Sequence, residues 1–101
     1  MYGLKENHIN KIKLIFANCA EIDKAILYGS RAKGNYWKGS DIDISLVGTN
    51  FNFNMLLRIE TELDDLLLPY HIDISIFDKI ENLDLIEHIK RVGILFYEKR
   101  K

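Results

Sequence analysis

Three aspartates lie in two short segments that have almost the same sequence. Asp43 belongs to residues 42–46 (IDISL), Asp73 belongs to residues 72–76 (IDISI), and Asp41 precedes Asp43 by two positions. In both segments apolar residues alternate with Asp and Ser, which predicts β-strands with one apolar face and one polar face. Because residues two apart in a strand point the same way, we expect all three carboxylates on the polar face.

Carboxylates that lie this close together repel one another, and a bound cation offsets the repulsion. Like charges that lie close together raise one another's pKa, so such a cluster stays ionised only beside a positive charge. A divalent ion is the usual solution, and oxygen ligands suit Mg²⁺, with Mn²⁺ as a substitute. Two ions about 3.5–4 Å apart can bridge the attacking and leaving oxygens of a phosphate transfer. We therefore expect Asp41 and Asp43 to bind two ions, with Asp73 as the third ligand and candidate proton acceptor.

A second motif precedes the aspartates. Ten residues separate the pair Gly29-Ser30 from Asp41. A strand that ends at a glycine and enters a helical turn presents backbone N–H groups, and the glycine lets a phosphate approach closely. The Ser30 hydroxyl, Arg31 and Lys33 are further candidates for phosphate contact, although either cation also suits an ordinary surface position. Together with Asp-x-Asp at this spacing and a third Asp, the pair predicts a nucleotide-transfer site.

Periodic apolar residues predict the elements that position these groups. Pro69 should close the second long helix, and Gly93 should be the left-handed C-cap residue of the last one. The basic end of the chain, up to Lys101, is predicted to be solvated. The predicted elements are a helix over 5–19, a strand over 25–28, a helical turn and open loop over 30–40, a strand over 42–47, a helix over 54–68, a strand over 72–77, a helix over 82–91 and an edge strand over 94–97.

The helix over 54–68 is long enough to cross between the two Asp-bearing strands. Such a strand–helix–strand unit is normally parallel and right-handed, which would place Asp43 beside Asp73.

Composition narrows the function further. The chain has 101 residues, 14 basic and 15 acidic side chains and a net charge of −1, so we expect one domain, residues 1–101, and no general nucleic-acid binding. The single Cys19 excludes an intramolecular disulfide and fits a buried thiol. We expect no membrane span and a cytoplasmic location. An acceptor would be recognised by a partner chain or by a small surface of this one.

Other motifs are weaker. Residues 34–40 have the glycine spacing of a Walker A loop but lack its lysine, and a polar turn position explains His71 better than metal ligation does. His8 and His88 lie on predicted helices without metal-ligand spacing. Tyr36 and Trp37 either pack their loop onto the domain, or stack on a nucleobase or contact a partner.

Gly29-Ser30, Asp41-Ile42-Asp43 and Asp73 together resemble the motif of the DNA polymerase beta-like nucleotidyltransferase superfamily. Within it, the chain is similar to the minimal nucleotidyltransferases (MNT) of prokaryotes over essentially its whole length. The resemblance implies the nucleotidyltransferase fold, an α/β (α+β) domain with a small mixed β-sheet flanked by helices. It also implies that Gly29 and Ser30 contact the nucleotide phosphates and that Asp41, Asp43 and Asp73 form the metal-binding triad.

The resemblance implies a partner as well. Minimal nucleotidyltransferases are commonly paired with a helical HEPN-domain protein, and as antitoxins they move AMP from ATP to a tyrosine of that HEPN toxin. We therefore expect an Mg²⁺-dependent adenylyltransferase with ATP as donor. Two alternatives stay open: a nucleotidyltransferase subunit that acts on a small-molecule or nucleic-acid hydroxyl, and a non-catalytic nucleotide-binding antitoxin that masks its partner.

Overall fold

The computed structural model describes residues 1–100, so that Lys101 of the predicted basic tail lies outside the described residues. It contains a small mixed β-sheet with helices on both faces, as the sequence predicts. In chain order the elements are α1 Glu6–Ala17, β1 Lys24–Tyr28, α2 Ser30–Lys33, β2 Ile42–Val47, α3 Phe53–Asp64, β3 Ile72–Ile76, a 3₁₀ turn Phe77–Lys79, α4 Leu83–Val92 and β4 Ile94–Glu98.

The four strands are arranged in the order β3-β2-β1-β4. β2 and β3 are parallel and are joined by the crossover helix α3, whereas β1 is antiparallel to both of its neighbours, β2 and β4. The predicted parallel pairing of the Asp-bearing strands and the predicted edge position of the last strand are therefore confirmed.

The strands bury one face against α1 and α3. Leu27 and Ile44 are fully buried there, together with Ile12 and Phe16 of α1 and Ile59 of α3. The opposite face carries the polar residues of β2 and β3, and α4 covers its β1 side. Since side chains alternate between the two faces, the same alternation that builds the core also collects the aspartates.

Helix α3 is shorter than the sequence predicts. It ends at Asp64 rather than Leu68, and Leu67 adopts a left-handed φ of 53° that no helix can continue through. Leu67 is 88% exposed and therefore lies outside the buried face of α3. Pro69 follows a turn and does not close the helix itself.

The end of α4 also differs from the prediction. Gly93 has φ −61° and ψ 141°, which is extended backbone and not a left-handed cap. A Cβ at this position would overlap the carbonyl oxygen of Ile89 and lie 2.6 Å from Cγ2 of Ile26. The glycine is therefore required by the close approach of α4 to β1.

Helix α1 ends at Ala17, before Cys19, whose predicted burial is confirmed. Among the described residues, no helix combines the length and the apolar character that crossing a membrane requires.

Candidate active site

The three aspartates lie at the end of the sheet where β2 begins. In the parallel register Asp43 is directly opposite Asp73, and in the antiparallel register Tyr28 at the end of β1 is directly opposite Asp43. Asp41 immediately precedes β2, two residues before Asp43. Asp43 therefore lies in the centre of the polar face, between a phenol on one side and a second carboxylate on the other.

The pKa of Asp43 reflects its burial and the charged groups around it. Burial raises the pKa of Asp43, and the charges of Asp73 and Asp41 raise it further, while His71 and His88 act in the opposite direction. Burial likewise raises the pKa of Tyr28, and the charges of Asp43 and Asp73 raise it by smaller amounts. The site therefore concentrates negative charge, and its central carboxylate is the one most affected.

Gly29 brings the backbone of the next turn against this carboxylate. Its φ of 75° and ψ of −157° lie in a region that only glycine occupies readily. A Cβ at Gly29 would overlap Oδ2 of Asp43. The predicted Gly-Ser turn and the predicted Asp-x-Asp motif are thus in direct contact, and α2 starts at Ser30.

Arg31 has different contacts from those expected of a phosphate ligand. It is only 2% exposed. Its Nε and Nη2 donate to the carbonyl oxygen of Ser40 at 3.1 and 2.8 Å, and Nη1 donates to that of Tyr2 at 2.9 Å. The guanidinium also packs over the rings of Tyr36 and Tyr70, 5.3 and 5.1 Å from their centroids. Arg31 therefore holds the loop and the N-terminal segment, whereas Lys33 is exposed.

The loop after α2 is built around a tight turn. The backbone N–H of Trp37 donates to Oγ of Ser40 at 2.9 Å, and the N–H of Ser40 donates to the carbonyl of Trp37 at 3.0 Å. Tyr36 packs against Arg31, but the Trp37 side chain is 72% exposed. The packing interpretation of these aromatic residues therefore holds for Tyr36 only.

Sequence reasoning missed several residues of the site. Oγ of Ser75 donates to Oγ of the fully buried Ser45 at 3.1 Å, which ties the two Asp-bearing strands together beneath the carboxylates. His88 contacts Tyr28 edge to face, with ring centroids 6.1 Å apart. The serine that repeats at the same position of the two Asp-bearing segments was a sequence signal for the pair Ser45 and Ser75. No local signal identifies His88, because its position depends on how α4 packs across β1.

The carboxylates can supply oxygen ligands to a divalent ion. Among residues 1–100, no group of three or more His, Cys, Asp or Glu side chains is already gathered closely enough to hold a metal. Asp41 and Asp73 are exposed, however, and can change rotamer, while Asp43 is held against Gly29. The mutual repulsion that raises the pKa of Asp43 is the imbalance that a bound cation would correct.

Comparison with known proteins shows the family of this chain. Residues 10–101 match the family described as "Polymerase beta, Nucleotidyltransferase". A Methanocaldococcus jannaschii protein provisionally named a protein adenylyltransferase is 40% identical over 62 residues, which are 61% of this chain. The match spans 58% of that relative's length.

Solved structures show the same fold. A toxin–antitoxin structure with AMP-PNP superposes with a TM-score of 0.71 at 20% identity, over 96% of this chain and 76% of the other. A structure of a tri-AMPylated Shewanella oneidensis HEPN toxin in complex with its MNT antitoxin gives a TM-score of 0.70 at 16% identity, over 95% and 74% of the two chains.

Proposed function

We propose that this chain, which belongs to the polymerase beta nucleotidyltransferase family, transfers AMP from ATP to a protein hydroxyl in a metal-dependent reaction. The observation that carries the proposal is the cross-strand pair of Asp43 and Asp73, with the backbone of Gly29 against Asp43. Nucleotidyl transfer requires carboxylates that can bind metal and a turn that can bind phosphate, and Asp43 with the turn at Gly29 would fill these two roles.

Asp41, Asp43 and Asp73 are the residues that would hold Mg²⁺, with Mn²⁺ as a substitute. When bound, two such ions supply charge neutralisation for the phosphates and lower the pKa of the attacking hydroxyl. The polypeptide itself positions the reactants. Asp73, on the edge strand β3, is exposed and can accept the proton of an incoming hydroxyl.

The donor phosphates would bind at the turn after β1. The bare Cα of Gly29 lets a phosphate approach the backbone, and the hydroxyl of Ser30 can donate a hydrogen bond to a phosphate oxygen. Lys33 is the exposed cation of α2 and replaces Arg31 as the preferred source of positive charge, because Arg31 is buried and its Nε, Nη1 and Nη2 already donate to the carbonyls of Ser40 and Tyr2.

The acceptor we propose is a tyrosine of a HEPN-domain toxin, so that the chain acts as an antitoxin. Its fold is shared with an MNT antitoxin solved together with an AMPylated HEPN toxin, and its sequence is similar to that of a provisionally named protein adenylyltransferase. Both likenesses support a protein acceptor over a small molecule or a nucleic-acid end.

Transfer of label tests this function directly. The chain, Mg²⁺ and ATP labelled at its α-phosphate should label a HEPN-domain protein if the adjacent gene encodes one, and tyrosine-to-phenylalanine variants of that protein should lose the label. Asp41→Asn with Asp43→Asn should abolish transfer, while Asp64→Asn, an exposed aspartate at the end of α3, should not.

Two results would contradict the proposal. Label on an RNA end or a small molecule, and none on protein, would assign a different acceptor. Full neutralisation of the toxin by the double Asn variant would show that the chain masks its partner instead of modifying it.

A further inference from the structure

We infer that Trp37 is the stacking platform for the nucleobase of the donor nucleotide. This inference rests on the proposed function, because it requires nucleotide binding at the adjacent carboxylates. Trp37 is 72% exposed, the highest value among the aromatic residues with large exposed side chains. Exposed indole surface is costly in water, and here it occurs in a segment that is otherwise firmly held.

The backbone of the loop that carries the indole is firmly held. The turn that joins Trp37 to Ser40 is closed by two hydrogen bonds, of 2.9 and 3.0 Å. Ser40 is itself 7% exposed, and its carbonyl oxygen accepts two bonds from Arg31. A loop that is ordered before the ligand arrives loses little backbone entropy on binding, which favours its use as a contact surface.

The indole packs against the backbone of its own loop. A Cβ placed on Gly39 would lie 2.5 Å from Cη2 and Cζ3 of Trp37, so the ring lies over the Gly39 backbone, two residues before Asp41. One side of the ring is covered by backbone, and most of the rest is open to a flat ligand.

Trp37 lies close to the first carboxylate along the backbone. The hydrogen-bonded turn from Trp37 to Ser40 holds the Cα atoms of these residues within about 7 Å, and Asp41 follows directly, about 3.8 Å further. This backbone separation is short enough for a nucleotide whose base lies on Trp37 to reach Asp41 with its phosphates.

The surroundings of Trp37 favour a base over a polypeptide. Its exposed neighbours along the chain are Asn35, Tyr36, Lys38 and Gly39, and the one apolar side chain among them, Tyr36, is only 37% exposed and packs against Arg31. A hot spot for protein contact is normally surrounded by packing residues that exclude water. A nucleobase needs only one flat aromatic surface, and the positive charge of Lys38 and Lys33 suits the phosphates attached to it.

Trp37 is the only tryptophan of the chain, so its fluorescence reports on this contact alone. We expect ATP with Mg²⁺ to quench the indole, whereas inorganic tripolyphosphate, which has no base, should bind without quenching. Calorimetry should show ATP binding weakened at least about fivefold by Trp37→Leu, because base–aromatic stacking contributes about 1–3 kcal/mol. Trp37→Phe should retain most of the affinity, and both variants should bind tripolyphosphate like the wild type.

The outcomes separate this inference from the proposed function. If ATP binds Trp37→Leu as tightly as it binds the wild type, and if ATP leaves the indole emission of the wild type unchanged, stacking is overturned while nucleotide binding stands. If the same variant keeps its ATP affinity but loses affinity for a HEPN partner, the indole is a protein contact and the inference is equally overturned. If neither ATP nor tripolyphosphate shows Mg²⁺-dependent binding, the proposed function fails first, and stacking fails with it.

Discussion

Gly29, which directly follows β1, is in contact with Asp43 of β2. The contact is so close that only glycine fits at position 29. A Cβ there would overlap Oδ2 of Asp43, and the backbone at Gly29 already has a positive φ of 75°. The turn at Gly29 and the central carboxylate are therefore closely packed against each other, and this pair should be sensitive to small changes.

Gly29→Ala should destabilise the protein by about 2 kcal/mol or more, because backbone strain of about 1–3 kcal/mol is added to a steric overlap. Gly34→Ala is the matched control. Gly34 also has a positive φ, of 85°, but a Cβ there would meet nothing within 4 Å. Urea unfolding of both variants should show the larger loss at Gly29, together with weaker ATP binding. Equal losses would contradict the contact.

Addition of Mg²⁺ should raise the melting temperature of the wild-type chain. A ligand that binds only the folded state stabilises it by mass action, and the crowded carboxylates of Asp41, Asp43 and Asp73 favour cation binding. The shift should be lost in Asp41→Asn with Asp43→Asn and kept in Asp64→Asn. A wild-type protein that melts at the same temperature in Mg²⁺ and in chelator would count against a metal site.

Without metal, Asp43→Asn should stabilise the protein at neutral pH. The folded state raises the pKa of Asp43 above its ordinary value of 3.8, so this carboxyl contributes stability below that pH, and the contribution is lost as pH rises through the higher folded value. The gain from Asn should be about 1 kcal/mol or less, since the group is partly solvated.

Melting curves in chelator check the sign. The difference between Asp43→Asn and the wild type should be present at pH 7 and should shrink on acidification toward 3.8, because the raised pKa lets Asp43 of the folded protein take up its proton above that pH. A variant that is less stable than the wild type at neutral pH would mean that the carboxylate is needed for the fold.

Arg31→Lys and Lys33→Met should have opposite consequences. A lysine cannot reproduce the two bonds of Arg31 to Ser40, so Arg31→Lys should cost about 1–3 kcal/mol in urea unfolding and make the loop around Trp37 more sensitive to protease. Lys33→Met changes an exposed side chain and should alter stability by less than about 0.5 kcal/mol, but it should weaken binding of tripolyphosphate. The reverse pattern would restore Arg31 as the phosphate ligand.

The local sequence predicted the strands of this site and the pairing between them. The alternation of Ile with Asp and Ser predicted β2 and β3, their shared polar face and, through the crossover helix, the parallel pairing of Asp43 with Asp73. These inferences succeed because side-chain direction in a strand depends on neighbouring residues only, and because crossover connections have a strong preferred hand.

The ends of helices were predicted less well, for a related reason. Gly93 and Pro69 both have local preferences that favour a helix terminus, but packing of α4 against Ile26 decided the conformation of Gly93, and a left-handed Leu67 ended α3 early. Contacts from distant segments outweigh a preference of about 1 kcal/mol per residue.

The sequence by itself determined which residue types would meet: three carboxylates, a Gly-Ser turn and a sheet to hold them. Only the tertiary structure decided which neighbours they have. Arg31 is buried because it donates a hydrogen bond to the carbonyl of Tyr2, 29 residues away. His88 contacts Tyr28 because α4 packs across β1. Such pairings depend on how whole elements pack, and the free energy that selects them is distributed over the core and not recorded in any short motif.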